Sequence, residues 1–126
     1  MACIMEWEPQ GVYWKYSGDV SGREIIKSST AIYGDSRFDT LKYKLVDFLE
    51  VDTIDINKDE ITLIAHQHRM AERSNPYIKN AIVLRSNNKL AKEFAAFFID
   101  STWQVKLFND LDEANTWLCR STAFST

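Results

Sequence analysis

Apolar positions along this chain switch repeatedly between a period of two and a period near 3.6, the signatures of strands and amphipathic helices. Cys3 to Glu8 alternates weakly, and Pro9-Gln10-Gly11 signals a turn. Gly11 to Ser17 (Gly-Val-Tyr-Trp-Lys-Tyr-Ser) is rich in aromatic and branched residues and reads as a strand, so the chain is expected to open with a hairpin. Ser21 with Glu24 three positions on makes a capping box, after which Ile25, Ile26, Ser29, Ile32 and Tyr33 share one helical side and Gly34 closes the helix. Lys42 to Phe48 is the next strand. A second helix starts at Asn57, with Glu60 in the reciprocal position, and runs to about Arg73 before Ser74-Asn75-Pro76 stops it. Its apolar side is Ile61, Ile64, Ala65, His68 and Ala71.

Asn80 to Leu84 is a short apolar run, as expected of a strand covered on both faces. Ser86-Asn87-Asn88 offers caps for a third helix whose stripe is Leu90, Phe94, Phe97 and Phe98. Trp103 to Phe108 is the last strand. Asp110 with Glu113 caps a final helix burying Leu111, Ala114, Trp117 and Leu118. The order β-β-α-β-α-β-α-β-α predicts an α/β fold: a mixed, largely parallel five-stranded sheet flanked by four helices, with right-handed crossovers. No repeat or linker divides the chain, so residues 1–126 form one domain with its core at 11–118 and an unpatterned, mobile tail at 120–126.

The pieces Gly11-Val-Tyr-Trp-Lys-Tyr-Ser-Gly18, Arg37-Phe-Asp-Thr-Leu-Lys-Tyr-Lys-Leu-Val-Asp47, Lys79-Asn-Ala-Ile-Val83 and Val105-Lys-Leu-Phe-Asn-Asp-Leu-Asp-Glu-Ala-Asn-Thr-Trp-Leu118 resemble the SpoIIAA-like branch of the STAS domains. The resemblance implies a mixed sheet flanked by helices and a protein that works by binding rather than catalysis. Antagonists of that family carry Asp-Ser-Ser/Thr-Gly at a helix start, where phosphorylation of a serine releases a partner. With Asp47 matched to the acid that ends the family's strand, the motif falls on Asp55, Ile56, Asn57 and Lys58, a candidate partner surface. Only the aspartate is kept. Asp59 and Glu60 would moreover repel a phosphate at that helix start. A register slip would instead bring Thr53 into play. A protein-interaction module without a serine phospho-switch is therefore expected.

Composition narrows the partners. The 126 residues contain 45% hydrophobic and 26% charged residues, ordinary for one globular domain, which at this length buries roughly two-thirds of its unfolded surface. The net charge of −3 supplies no general field for phosphate backbones, so no nucleic acid is expected as partner. No apolar run approaches the ~18 residues of a membrane span, no signal-like segment opens the chain, and Cys3 and Cys119 are read as reduced thiols of a cytoplasmic protein.

The catalytic motifs are empty, so no enzyme activity and no cofactor are expected. His66 and His68 lie two apart on a helix, pointing about 200° from each other, and no third metal ligand presents itself. His68 is expected to be partly buried with one hydrogen bond, and His66 solvated. Gly18-Asp-Val-Ser-Gly22 lacks the spacing of a phosphate loop and reads as turn residues beside the Ser21 cap. Asp47, read as standing at a strand's end, is either a turn acid or a residue of the functional edge. Cys119 has no sign of a base partner. The aromatic content of 13% supports a second class of function, a small apolar-ligand or lipid-binding domain with a pocket at Leu90, Phe94, Phe97 and Phe98. On the strand from Gly11, Val12, Trp14 and Tyr16 share one face while Tyr13 and Lys15 share the other, which is either covered or a partner surface. Tyr13 and Lys15 are also candidate contacts for a homodimer paired through an uncovered edge strand.

Overall fold

The computed structural model describes residues 2–120 except Asn87. Its elements are β1 (Ala2–Trp7), β2 (Gly11–Ser21), α1 (Gly22–Ser29), a 3₁₀ turn (Ser36–Thr40), β3 (Tyr43–Asp55), α2 (Lys58–Ala71), β4 (Lys79–Val83), α3 (Lys89–Ala96), β5 (Gln104–Phe108) and α4 (Leu111–Leu118). The five strands lie in the order β1-β2-β3-β4-β5, with β1 antiparallel to β2 and the other pairs parallel. The opening hairpin and the mixed, largely parallel sheet are therefore as expected from the pattern. Of the tail expected at 120–126, residues 121–126 lie outside the described residues, and Arg120 is not mobile but held by an ion pair with Glu8.

The sequential strand order decides which face each helix covers. Parallel neighbours joined by right-handed crossovers in one direction place every crossing helix on the same face. Accordingly α1, α2 and α3 pack with Val12, Trp14, Tyr16 and Ile82 into the main core. The last helix, α4, closes a smaller core on the opposite face with Tyr43, Leu45, Ala81, Val83 and Phe108. No helix among the described residues is long and apolar enough to cross a membrane.

Local signals fix the helix starts. Ser21 and Glu24 form the expected capping box, and so do Asn57 and Glu60. Asp110 caps α4 through the amide of Asp112, and Asn88 caps α3 through the amides of Leu90 and Ala91; the offered cap Asn87 lies outside the described residues. The helix before Gly34 is shorter than its pattern predicts. It ends at Ser29 with Thr30 as cap, and a run of turns carries the buried Ile32 to Gly34, whose φ is 95°. Because Ile32 is buried and Tyr33 partly buried by tertiary contact, helical spacing alone overextended the helix.

The strands β2 and β3 run further than alternation suggests, to Ser21 and Asp55. Register shifts between Lys15 and Ser17 and between Gly18 and Asp19 insert extra β3 residues opposite β2. Such bulges break the period of two while pairing continues. Gly18 therefore sits inside a strand at a bulge, with φ 73°, and is not a turn residue beside the cap. Gly22 opens α1 where a Cβ would come 2.5 Å from the carboxyl of Glu60, so an acid fills the place a phosphate loop would need.

Candidate functional site

The feature with chemical potential lies where the helix-covered sheet face meets α1, α2 and α3. A half-enclosed cavity of about 90 Å³ opens near the C-terminal ends of the parallel strands, the edge at which α/β sheets bind ligands. Its rim includes the partly exposed Ile54, Ile56 and Leu90, and its depth is closed by the buried Ile64, Ile82 and Phe94. At the inner end stand two buried polar side chains, His68 and Asn80.

Beside that inner end, Lys44 is buried to 1% exposure. It stands directly across the β3–β4 pair from Asn80, so both side chains point from one row of the sheet into the helical layer. Its ammonium nitrogen is ringed by Trp14, Tyr33 and Trp103, with centroids 5.5, 5.5 and 5.2 Å away. Lys44 makes no ion pair with a carboxylate among the described residues. Its hydrogen bonds go to the Tyr33 hydroxyl (3.2 Å) and His68 Nε2 (3.3 Å), while the same hydroxyl meets His68 Nδ1 at 2.6 Å.

The donors and acceptors of this triad decide its charge. With Lys44 neutral they close a ring: Tyr33 O–H donates to Nδ1, Nε2–H donates to the amine lone pair, and the amine donates to the Tyr33 oxygen. Protonating Lys44 removes the lone pair, moves the imidazole hydrogen to Nδ1 and deprives the Tyr33 hydroxyl hydrogen of its acceptor. Burial acts the same way. It pushes the Lys44 amine down to about 7, and burial, aided by the neighbouring Lys44, holds His68 well below the usual imidazole range. The Tyr33 phenol is pushed up by burial. Above pH 7 the triad is therefore a largely uncharged plug in the middle of the core.

On the opposite face, a second polar group ties the chain's ends together. Arg120 grips Glu8 through Nε (2.8 Å) and Nη2 (2.6 Å), both side chains 4% exposed, and Tyr43 donates to the same carboxylate. The Arg120 guanidinium also covers the Tyr13 ring at 4.9 Å, and the Tyr13 hydroxyl donates to Asp47 (2.7 Å). Every polar partner here is satisfied by another. The arrangement locks the end of α4 over β1 and β2.

No family model matches this chain. No curated protein matches it either. Among solved structures, one match is an uncharacterized protein from the DUF3478 family with a SpoIIAA-like fold, from Shewanella loihica. It aligns over 94% of this chain and 93% of its own at a TM-score of 0.52 and 16% identity. The fold is SpoIIAA-like.

Asp55 ends β3, Ile56 follows it, Asn57 caps α2 and Lys58 is the first residue of that helix. Asp55, Asn57 and Lys58 are exposed, whereas Ile56 turns inward and lines the cavity. Thr53 lies on the exposed β3 extension and donates to Asp19 (2.8 Å). Leu90 and Phe94 line the cavity as the pocket expectation requires, but Phe97 and Phe98 do not. Phe97 faces the α2 surface against His66, and Phe98 stacks on Trp103 in the closed core. The reason is helix length: α3 ends at Ala96, so the last two aromatics leave its axis before the stripe is complete.

Three further expectations need correction. Tyr13 and Lys15 are not on an edge strand, because β2 pairs with β1 on one side and β3 on the other. The sheet's edges are β1, where Ile4 and Met5 are exposed, and β5. Asp47 does not end a strand. It sits inside β3 at the bulge, where its carboxylate accepts the freed Leu49 amide (2.9 Å) besides the Tyr13 hydroxyl. His68 is fully buried with two partners rather than partly buried with one, while His66 is exposed. Cys3 and Cys119 are both free thiols.

Sequence reasoning passed over Lys44, Tyr33, Trp103 and Asn80. One signal was available: in Lys42 to Phe48, Lys44 shares its alternation face with Val46 and Phe48, a charge on an apolar row.

Proposed function

We propose that this chain is a STAS-like, non-enzymatic binding module that takes a small apolar ligand in the cavity beneath α3. The observation that carries the reading is the cavity itself, half-enclosed, walled by branched aliphatic side chains and placed at the strand edge where such sheets bind. Its volume of about 90 Å³ is below the ~150 Å³ of an apolar cavity that takes benzene, so the occupant is short or leaves its far end at the rim. The SpoIIAA-like fold supports binding rather than catalysis by analogy.

The test is methyl NMR of the labelled protein under xenon pressure. Xenon should shift the methyls of Ile54, Ile56, Ile64 and Ile82 together and leave exposed Leu63 and Met70 unmoved. A scatter of small shifts over exposed methyls, with those isoleucines silent, defeats the reading. A second reading, docking of a protein partner, is favoured by the exposed Asp55, Asn57 and Lys58 beside the inward Ile56. It predicts that Ile56→Glu abolishes capture of one stoichiometric protein from the native host, with loss of no small-molecule adduct in native mass spectra.

A further inference from the structure

The wall of the cavity carries few polar side chains, and most of their acceptors are already engaged. The Tyr16 hydroxyl is paired with Ser28, and Ser29 turns back to the carbonyl of Ile26. Both ring nitrogens of His68 are held by Tyr33 and Lys44. The Asn88 side-chain oxygen caps α3. The exception among the described wall residues is Asn80, 2% exposed, whose Oδ1 is buried with no hydrogen-bond partner.

An unpaired carbonyl oxygen in an apolar cavity is costly, and native interiors rarely keep one without a ligand or water to meet it. Asn80 is in mid-strand, held between β3 and β5, so its carboxamide cannot swing out to solvent. What satisfies Oδ1 must donate a hydrogen bond and must arrive through the rim. The neighbouring plug narrows the choice further. When uncharged, the Tyr33–His68–Lys44 ring offers no cation to offset the burial of a carboxylate in this apolar cavity.

We infer that the cavity binds a small uncharged aliphatic alcohol, hydroxyl inward on the Asn80 carboxamide and alkyl end toward Ile56 and Leu90. A hydroxyl both donates and accepts, so it fits either rotation of the carboxamide. About three water-sized groups, at roughly 30 Å³ each, fill the enclosed part. A chain of three or four carbons therefore reaches the rim. This assignment rests on the cavity being a binding site, and it adds the chemistry of the head group.

The experiment is methyl NMR titration of the wild-type chain with 1-butanol and with butanoate at pH 8, alongside xenon. The expected result is saturable shifts of the Ile56 and Ile82 methyls with 1-butanol, and binding of butanoate weaker by roughly tenfold or more. Asn80→Leu should weaken 1-butanol by about five- to tenfold, the size of one neutral hydrogen bond, while leaving xenon binding in place. If butanoate binds as tightly as 1-butanol, or if Asn80→Leu leaves butanol affinity unchanged, the hydroxyl assignment is overturned while xenon still marks the cavity. Silence of these methyls to xenon and butanol alike overturns both. The wild-type comparison of alcohol with acid stands even if Asn80→Leu does not fold.

Discussion

Lys44→Met tests the interior electrostatics most directly, because methionine keeps the length and apolar body of the lysine stem while deleting its amine. In the folded chain the amine titrates at about 7, against an ordinary value of 10.5. The unfolded state thus binds the proton more tightly than the folded state, and stability must rise with pH wherever the two differ. The penalty is fully present below pH 7 and fades as pH rises through 10.5. Each pH unit between the two values is worth ~1.36 kcal/mol, so the gap amounts to about 5 kcal/mol at most and about 4 kcal/mol near neutrality. Deleting the amine also leaves the Nε2–H of His68 without an acceptor, at roughly 1–3 kcal/mol. The variant is therefore about 1–3 kcal/mol the more stable at pH 7.5, and that advantage shrinks as pH rises. Urea unfolding of both proteins at pH 7.5, 8.5 and 9.5, with reductant for the free thiols, should show wild type gaining about 2–3 kcal/mol on the variant across that range. Groups remote from Lys44 titrate alike in both chains and cancel in the difference. A difference that stays flat with pH would refute the reasoning, because it would mean that Lys44 keeps its charge in the core.

Phe94→Ala should cost about 3–5 kcal/mol in urea unfolding and enlarge the cavity enough for benzene to recover part of that loss; a variant that benzene does not stabilise would show that the wall has collapsed. Arg120→Ala leaves the 4% exposed Glu8 carboxylate without its bidentate partner and should lose about 3–5 kcal/mol, whereas a loss below 1 kcal/mol would mean that the pair is open to water. Asn57→Ala removes one capping box and should lower stability by ~1 kcal/mol with increased amide exchange confined to the first turn of α2.

The amino-acid sequence by itself determined the parts of this protein that depend on neighbours a few residues away. Alternation in Tyr-Trp-Lys-Tyr, the 3.6-residue stripes of α2 and α4, and the boxes Ser21/Glu24 and Asn57/Glu60 are local effects, and they place nine elements in the right order. That order, with right-handed crossovers, is enough to expect a largely parallel sheet. Tertiary structure decided what depends on distant partners. The bulges that carry β2 and β3 on to Ser21 and Asp55 exist only in the pairing of two strands, so Asp47 looked terminal and is internal. Lys44 looked like any strand lysine, yet Trp14, Tyr33, His68 and Trp103 converge on it from four separate parts of the chain. The pocket was half legible: Leu90 and Phe94 follow from helical spacing, but Phe97 and Phe98 depend on where α3 stops. Asn80 was invisible as a site residue, because an amide in a strand reveals nothing until every possible partner around it has been placed. A polar group's lack of a partner is a property of the whole fold, and no local pattern encodes it.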